Sequence, residues 1–285
     1  MATTEAGIVR AAMEALENSG STSLPVDPER IAKLDGIEVR AMRPSTTGGV
    51  SGALLRYGND LAILYATQIN NEGLRRFSIA HELGHVYLPD HPNASTEGFH
   101  ISRAGFQSND PYEREADAFA AALLMPPRLF DAAMSQAGEG MDAVRYLARY
   151  CRTSLTATAL QYAKRSREAT ATIVSAKGRV LYARLSSRLR RYPGVEWPSK
   201  GSLLPDTLTR QLDALPYTGP GVVECEDASF QDWFGGPTES SVLEEVVKLG
   251  GWGRTLTVLT TPDMISPEDL EEQQGLEELR APSFG

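Results

Sequence analysis

The chain has 285 residues, 41% of them hydrophobic, so it is long enough for two domains with a core each. Its net charge of -9 argues against broad nonspecific binding to nucleic acid, although a local basic patch is compatible with that charge. No apolar run approaches the roughly 20 residues that span a bilayer, and the first residues lack the basic and apolar segments of a secretory signal. We therefore expect a cytoplasmic protein without a membrane partner.

Apolar spacing and turn residues predict the elements of the first third of the chain. Two helices come first, and Asp27 and Pro28 are typical of the cap and first turn of the second. A strand follows, and then two β-rich runs around Gly58-Asn59-Asp60 indicate a hairpin that precedes a longer helix. In chain order these elements are predicted to span residues 5–17, 28–33, 37–40, 51–57 with 61–66, and 72–87.

The middle of the chain combines a long irregular stretch with further helices. Residues 88–110 lose periodicity and contain several prolines and glycines, which predicts a loop that is either a functional lid or disordered. Helical spacing returns over residues 111–125 and ends at Pro126-Pro127. Residues 143–164 are predicted to form two short helices broken near Arg152, an arrangement that resembles a helix-turn-helix unit.

The pattern of the sequence changes at Thr170. Alternating β-rich runs separated by glycine-containing turns predict two pairs of strands, which indicates a separate α+β domain. The acidic end of the chain is predicted to form a short surface helix or a tail. The predicted strand pairs are residues 171–176 with 179–186 and residues 242–249 with 254–261.

The segment His81-Glu82-Leu83-Gly84-His85 carries the clearest chemistry. Residues four apart lie on one face of a helix, so His81 and His85 can present imidazole nitrogens to one zinc ion. Glu82 lies beside them, where a carboxylate can take a proton from zinc-bound water and pass it to the leaving amine. The spacing therefore indicates metal-assisted hydrolysis, and a chance motif on a surface helix is the competing interpretation.

Two residues compete as the third metal ligand. His91 stands where the pattern His-Glu-x-x-His-x-x-Gly-x-x-His places its last histidine, but Leu88 followed by Pro89 replaces the glycine that turns the chain. Glu113 is the other candidate. The histidine would make the site metzincin-like, whereas the glutamate would make it gluzincin-like.

Glu113 and Asp117 share one helix face with apolar residues. Buried carboxylates need partners, and a metal with its histidines would supply them. In that arrangement Glu113 binds the ion and Asp117 hydrogen-bonds the far nitrogen of His81. A competing interpretation makes Glu113 the third helical residue of a capping box that begins at Asp110. Glu115 is the weaker ligand candidate, since it projects about 200° around the helix from Glu113.

Two blocks of sequence resemble the ImmA/IrrE family of metallopeptidases. They are residues 75–85, Arg-Arg-Phe-Ser-Ile-Ala-His-Glu-Leu-Gly-His, and residues 113–126, which begin Glu-Arg-Glu-Ala-Asp and end Leu-Leu-Met-Pro. The resemblance implies a gluzincin-like zinc site of His81, His85 and Glu113, with the glutamate between the histidines as general base. It also implies cleavage of a partner transcriptional repressor, often under DNA-damage, mobile-element or phage-defence control.

The resemblance covers residues 1 to about 165, and beyond Thr170 it is architectural, since some members of the family carry a GAF-like sensor domain there. It implies a mostly helical zinc metallopeptidase domain with a small β-sheet, then a helix-turn-helix-like segment and a GAF-like regulatory domain. The expected fold class is α+β. The expected boundaries are 1–130 for the peptidase domain, 131–168 for the helical segment, 170–265 for the GAF-like domain and 266–285 for the acidic tail.

The expected partner is a helix-turn-helix repressor whose cleavage derepresses a stress or phage-defence operon. Single-stranded DNA is a candidate activator, because residues 179–197 mix basic and aromatic side chains, although a strand with a solvated basic face is the competing interpretation. The alternative function is a non-catalytic DNA-binding regulator with a structural metal site. A secreted metzincin-like protease is disfavoured by Leu88 and by the missing secretory signal.

Two further features lie near the site in sequence. The predicted strand over residues 51–55 could pair with an extended substrate, or it could be an ordinary core strand. His100 falls in the predicted loop, where it could help to stabilise an oxyanion, but an isolated loop histidine is usually solvated, so we leave it outside the site.

Overall fold

The structure of the protein is a computed structural model that describes residues 3–42, 50–67, 71–91, 98–103, 110–192, 194–217, 223–236, 240–250 and 253–261. These ranges hold ten helices and nine strands in two sheets, which confirms the predicted α+β class. None of the helices within them is long and apolar enough to cross a membrane. The predicted acidic tail lies outside the described residues.

The chain forms two compact units. The first comprises Met1–Ala137 with Arg145–Thr158, and the second comprises Gly138–Val144 with Ala159–Gly285. The boundary between them therefore falls inside the helical segment that the sequence predicts over residues 131–168.

The first unit contains a four-stranded sheet and helices that pack on one of its faces. The helices before residue 135 are α1 (Glu5–Asn18), α2 (Pro28–Leu34), α3 (Glu72–Tyr87), α4 (Pro111–Leu124) and α5 (Pro127–Met134); the strands are β1 (Glu38–Met42), β2 (Val50–Tyr57), β3 (Asp60–Ala66) and β4 (Gly98–Arg103).

The strand order of this sheet is β1-β3-β2-β4. The strand β1 runs parallel to β3, and β2 is antiparallel to both of its neighbours. In this register Leu54 lies opposite Ile63 on one side and His100 on the other. Leu54 and Ile63 are buried in the core beneath α3, so the same face of the sheet carries His100 toward that helix.

The helix α3 begins and ends at residues that the sequence marks clearly. The Asn71 side chain accepts a hydrogen bond from the Leu74 N–H at 3.0 Å, which satisfies one of the free donors of the first turn. The helix ends at Tyr87, shortly before Pro89, which cannot continue it. Its central residues are buried between α4 and the strands β2 and β3.

The helices α3 and α4 approach closely at Gly84. A Cβ atom at this position would lie 3.0 Å from the Cα of Ala116, so any larger residue would push the two backbones apart. A glycine in a helix interior costs roughly 1 kcal/mol relative to alanine. The close approach explains why the sequence has one here.

The prediction of a continuous loop over residues 88–110 is wrong. Residues 98–103 form β4, whose backbone hydrogen-bonds to β2 between Val50 and Arg56. The pairing joins segments more than forty residues apart, so no local periodicity announces it. The correction brings His100 into the neighbourhood of His81 and His85.

The two helices predicted over residues 143–164 are present as α6 (Gly140–Cys151) and α7 (Leu155–Arg165). The turn between them packs on the start of α3, since a Cβ at Gly73 would collide with the backbone of Ser154. Arg152 forms an ion pair with Glu72 at the same place. In α7 only Lys164 is exposed, so few of its side chains are available to enter a DNA groove.

The second unit is built on a five-stranded antiparallel sheet of order β6-β5-β9-β8-β7. Both predicted strand pairs are present in it. The elements are β5 (Thr170–Ala176), β6 (Arg179–Leu185), α8 (Ser187–Arg190), α9 (Leu208–Ala214), β7 (Glu224–Ser229), α10 (Phe230–Phe234), β8 (Ser241–Leu249) and β9 (Arg254–Thr260).

A fully buried carboxylate ties a connecting segment of the second unit to its sheet. Glu244 on β8 accepts hydrogen bonds from the Thr207 hydroxyl at 3.0 Å and from the Thr209 N–H at 2.6 Å. Its second oxygen accepts from the Trp233 indole N–H at 3.3 Å. Because both oxygens have fixed donors, the cost of burying this charge is offset locally.

Candidate metal centre

The two histidines of α3 converge on one point. His81 and His85 lie one turn apart, and their Nε2 atoms are 3.1 Å from each other. Burial is nearly complete, with 6% of His81 and 0% of His85 exposed. Two imidazole nitrogens at this separation fit a shared cation better than a direct hydrogen bond, because both are then free to act as acceptors.

Glu113 on α4 completes the group. Its two carboxylate oxygens lie 3.3 Å from His81 Nε2 and 3.2 Å from His85 Nε2. One ligand atom from each of the three residues falls within 4.8 Å of the others, so the group can hold a metal ion. Asp110 caps α4 through the Tyr112 N–H at 2.9 Å, while the Glu113 side chain points to the histidines and not back to the cap.

The charges of this group compensate one another. Burial alone would lower the pKa of His81, but hydrogen bonds to Asp117 and Glu113 outweigh burial and raise the pKa to about 10. Burial alone would raise the pKa of Glu113, yet its contacts with His100, His81 and His85 hold it well below its usual range. For His85, burial dominates and lowers the pKa to about 4, so this ring is neutral, as a metal ligand must be.

Asp117 lies behind His81. Its Oδ1 is 2.9 Å from His81 Nδ1, the ring nitrogen that faces away from the ligand group. A carboxylate at this position orients the ring and fixes its tautomer. Burial raises the pKa of Asp117, while its contact with His81 acts in the opposite direction.

Glu82 is fully buried, and neither carboxylate oxygen makes a well-formed hydrogen bond within the described residues. Burial raises its pKa to about 7, although the charge on His81 and the nearby Ser102 hydroxyl lower it in part. The absence of a side chain at Gly52 on β2 makes room for the Glu82 carboxylate, because a Cβ at Gly52 would lie 2.8 Å from Glu82 Oε1. A buried carboxylate with free lone pairs and a pKa near neutrality is suited to accept a proton.

His91 does not join the ligand group. Asp90 has a φ of 64°, and the chain turns back so that His91 comes to lie behind His85. Its Nδ1 is 2.9 Å from His85 Nδ1, on the side of that ring opposite the metal-facing nitrogen. Glu115 also points away from the group and lies 3.3 Å from His91 Nε2.

His100 belongs to the site, contrary to its interpretation as a solvated loop residue. Its Nε2 lies 3.0 Å from Glu113 Oε1, and its ring centroid is 4.8 Å from that of His85. About a fifth of the side chain is exposed, 22%, so it faces the open side of the group. The chain has only four histidines, and all four lie at or beside this group. Their small number was the one feature of the sequence that could have suggested a place for His100 near the site.

The strand over residues 51–55 cannot accept a substrate as an added strand. Within the described residues, β2 is paired along both sides, with β3 and with β4. The strand β4 is at the edge of this sheet in its place.

The basic and aromatic residues predicted to bind single-stranded DNA are only partly at the surface. Tyr192 is buried, and Arg188 donates to Glu168 at 3.0 Å. Arg190 stacks over Trp197, which is 44% exposed, at 5.9 Å from the ring centroid. Exposed basic residues nearby are Arg179, Arg184, Arg191 and Lys200.

The side chains at the site fit a zinc ion. Two imidazoles and one carboxylate are the ligand types of catalytic zinc sites, which keep a fourth position for water or substrate, and His81 would give up its proton on binding the ion. The nearby Glu82 carboxylate, which is buried without a well-formed hydrogen bond, fits the same chemistry.

Comparisons with known proteins give one family and one similar structure. Residues 36–161 match the model of a peptidase family described as the IrrE N-terminal-like domain, a zinc-dependent family, and this stretch contains every predicted site residue. A solved structure of a Mycobacterium tuberculosis transcriptional regulator is similar with a TM-score of 0.56 and 16% identity, over 89% of this chain and 87% of that chain. At this identity the similarity shows the fold alone. No curated protein matches the chain.

Proposed function

We propose that the protein is a zinc-dependent endopeptidase that cleaves a partner transcriptional repressor at a restricted site. The observation that carries the proposal is the fully buried Glu82 carboxylate, which makes no well-formed hydrogen bond within the described residues, beside the convergent group of His81, His85 and Glu113. A purely structural metal site does not require such a base, and burying a carboxylate without well-formed hydrogen bonds costs about 1 to 3 kcal/mol or more.

The residues have distinct roles in this mechanism. His81, His85 and Glu113 hold the ion, and Asp117 keeps His81 in the binding tautomer. When bound, zinc supplies a Lewis acid that makes water nucleophilic near neutral pH. Glu82 accepts the proton of the attacking water and later passes it to the leaving amine. His100 lies at the exposed side, where its ring can contact the substrate.

The repressor as substrate rests on the family similarity of residues 36–161 and on the transcriptional role named for the similar mycobacterial structure. A regulatory protease needs few substrates. The one proposed here is a cytoplasmic helix-turn-helix repressor that controls a stress or phage-defence operon. The alternative, a non-catalytic DNA-binding regulator, is disfavoured by the burial of α7.

The second unit supplies regulation in this proposal. We infer a GAF-like sensor domain that gates cleavage, with single-stranded DNA as the activator. The support is the exposed pair of Arg190 and Trp197 with the surrounding basic side chains, since cationic grooves with aromatic platforms bind single strands. Affinity for an oligonucleotide that weakens with salt is the expected result, and no salt-dependent binding would remove this part of the proposal.

The decisive experiment incubates the protein with a helix-turn-helix repressor, and any such repressor encoded by an adjacent gene is the first to be tried. Wild type with zinc is expected to give one cut, located by mass spectrometry, whereas Glu82→Gln and chelator-treated wild type leave the repressor intact. Operator binding by the protein itself, with no cleavage by wild type, would favour the DNA-binding alternative. Metal analysis of Glu113→Ala beside His91→Ala tests the ligand set, and loss of zinc only from the histidine variant would contradict it.

A further inference from the structure

A chain of buried hydrogen bonds extends behind the metal-facing side of His85. His85 Nδ1 lies 2.9 Å from His91 Nδ1, and His91 Nε2 lies 3.3 Å from Glu115 Oε2. The other oxygen of Glu115 accepts from the Thr3 N–H at 2.9 Å. All three side chains are buried, with exposed fractions of 0% for His85, 3% for His91 and 7% for Glu115.

The carboxylate at the end of this chain fixes the protons along it. Glu115 can only accept, so His91 must carry its proton on Nε2 and present a lone pair at Nδ1. Only one proton fits between the two facing Nδ1 atoms, and His85 must therefore supply it. His85 Nε2 is then left with a free lone pair, and this is the atom that faces His81 and Glu113.

The opposite set of tautomers has a specific cost. It would place the His91 Nε2 lone pair against the buried Glu115 carboxylate, and two buried acceptors that face each other without a proton destabilise the folded protein. Glu113 favours that opposite set in the metal-free protein, because its carboxylate lies 3.2 Å from His85 Nε2 and would accept a proton from it. Two carboxylates therefore compete for the tautomer of one ring, one from each side.

We propose that His91 and Glu115 are positioning residues that hold His85 in the tautomer able to bind zinc before the ion arrives. The Tyr112 ring packs edge-on against His91 with 5.1 Å between centroids, which keeps the imidazole plane in line. The proposal rests on the metal site of the proposed function, and it does not depend on which peptide is cut.

The first test measures tautomers in the metal-free wild-type protein. The chain has four histidines, so four single substitutions assign every imidazole in a nitrogen-15 NMR spectrum. We expect His85 to be protonated at Nδ1 and His91 at Nε2. A spectrum with His85 protonated at Nε2 would overturn the proposal.

The second test compares zinc affinities by competition with a chelator. His91→Gln keeps an acceptor for His85 and a donor for Glu115, whereas His91→Phe keeps neither. We expect His91→Phe and Glu115→Leu to weaken zinc binding 10- to 100-fold and His91→Gln to stay within about threefold of wild type. Equal losses for both His91 variants, or no loss for any variant, would contradict a positioning role.

Thermal melts of the metal-free variants separate folding from zinc binding, and the NMR test on wild type stands even where a variant fails to fold. The outcome is also independent of peptide cleavage. Normal tautomers and graded zinc affinities with an intact repressor would refute the proposed protease alone. A cleaved repressor with unchanged zinc affinity in Glu115→Leu would refute the positioning role alone.

Discussion

Two fully buried glutamates, one in each unit, have opposite surroundings. Glu244 on β8 accepts hydrogen bonds at both oxygens, from Thr207, Thr209 and Trp233. Glu82 on α3 makes no well-formed hydrogen bond within the described residues. Both side chains are 0% exposed, so the difference lies in their partners and not in their burial.

This difference separates a structural from a reactive carboxylate. The lone pairs of Glu244 are occupied by fixed donors, which stabilise the charge and connect the segment before α9 to the sheet. Among the described residues no well-formed hydrogen bond occupies the lone pairs of Glu82, so they are available to a proton or to water, and the fold tolerates the cost of this arrangement. Burial alone therefore does not point to a proton acceptor, whereas burial without well-formed hydrogen bonds beside a ligand group supports the proposed role of Glu82.

The largest expected effect is on catalysis by Glu82→Gln. The amide preserves shape but cannot accept the proton of water, so repressor cleavage should slow by about a thousandfold. The measurement is a single-turnover rate with zinc bound, and zinc content should equal that of wild type. A variant that cleaves at the wild-type rate would show that Glu82 is as structural as Glu244.

The second prediction concerns pH and the metal-free protein. Glu82 has a pKa of about 7 when folded and an ordinary value of 4.5, so its contribution to stability is present below about 4.5 and is lost as pH rises through 7. Glu82→Gln lacks this loss. In urea melts, the free energy of unfolding of Glu82→Gln minus that of wild type should therefore increase by about 3 kcal/mol from pH 4.5 to pH 8. A constant difference across this range would contradict the raised pKa.

The third prediction makes the same change, glutamate to glutamine, at the structural carboxylate, where it should affect stability. In Glu244→Gln the amide N–H₂ must face either Trp233 or the threonine donors, so one buried donor loses its acceptor, and the free energy of unfolding should fall by about 2 kcal/mol. Glu226→Gln, an exposed position on β7, is the matched control and should melt as wild type does. An unchanged melting temperature in Glu244→Gln would remove the structural side of the comparison.

The smallest effect is expected from Gly52→Ala. The added methyl group would lie 2.8 Å from Glu82 Oε1 and should displace the carboxylate, lowering the cleavage rate by about tenfold. No zinc ligand is among the atoms it would meet, so zinc affinity should stay within about twofold of wild type. Leu55→Ala, on the other face of β2, should change neither quantity. Loss of zinc together with activity would mean that the methyl group disturbs the ligand group instead.

Local patterns in the sequence predicted the frame of the site well. The helix over residues 72–87 has the predicted bounds, because its cap, its apolar spacing and Pro89 are all local features. The β2–β3 hairpin followed from the turn Gly58-Asn59-Asp60 for the same reason. Glu113 and Asp117 could be placed near the histidines because both interrupt an apolar helix face.

Other parts depend on contacts between distant segments and could not be predicted. The strand β4 exists through its pairing with β2, and His100 reaches the site only because of that pairing. The position of His91 depends on the left-handed turn at Asp90, which spacing patterns do not encode. The surroundings of Glu82 come from several distant segments, so a motif can name the residue but cannot show which hydrogen bonds it makes.

The contact at Gly84 has a consequence for how this protein can change over time. The distance between α3 and α4 is set by backbone against backbone, with 3.0 Å between a would-be Cβ and the Ala116 Cα, and not by the size of interlocking side chains. Apolar residues around it, such as Leu83 and Leu123, can therefore be exchanged for others of similar volume while the span from the histidines to Glu113 stays constant. The core is free to drift in sequence, and the metal centre keeps its dimensions.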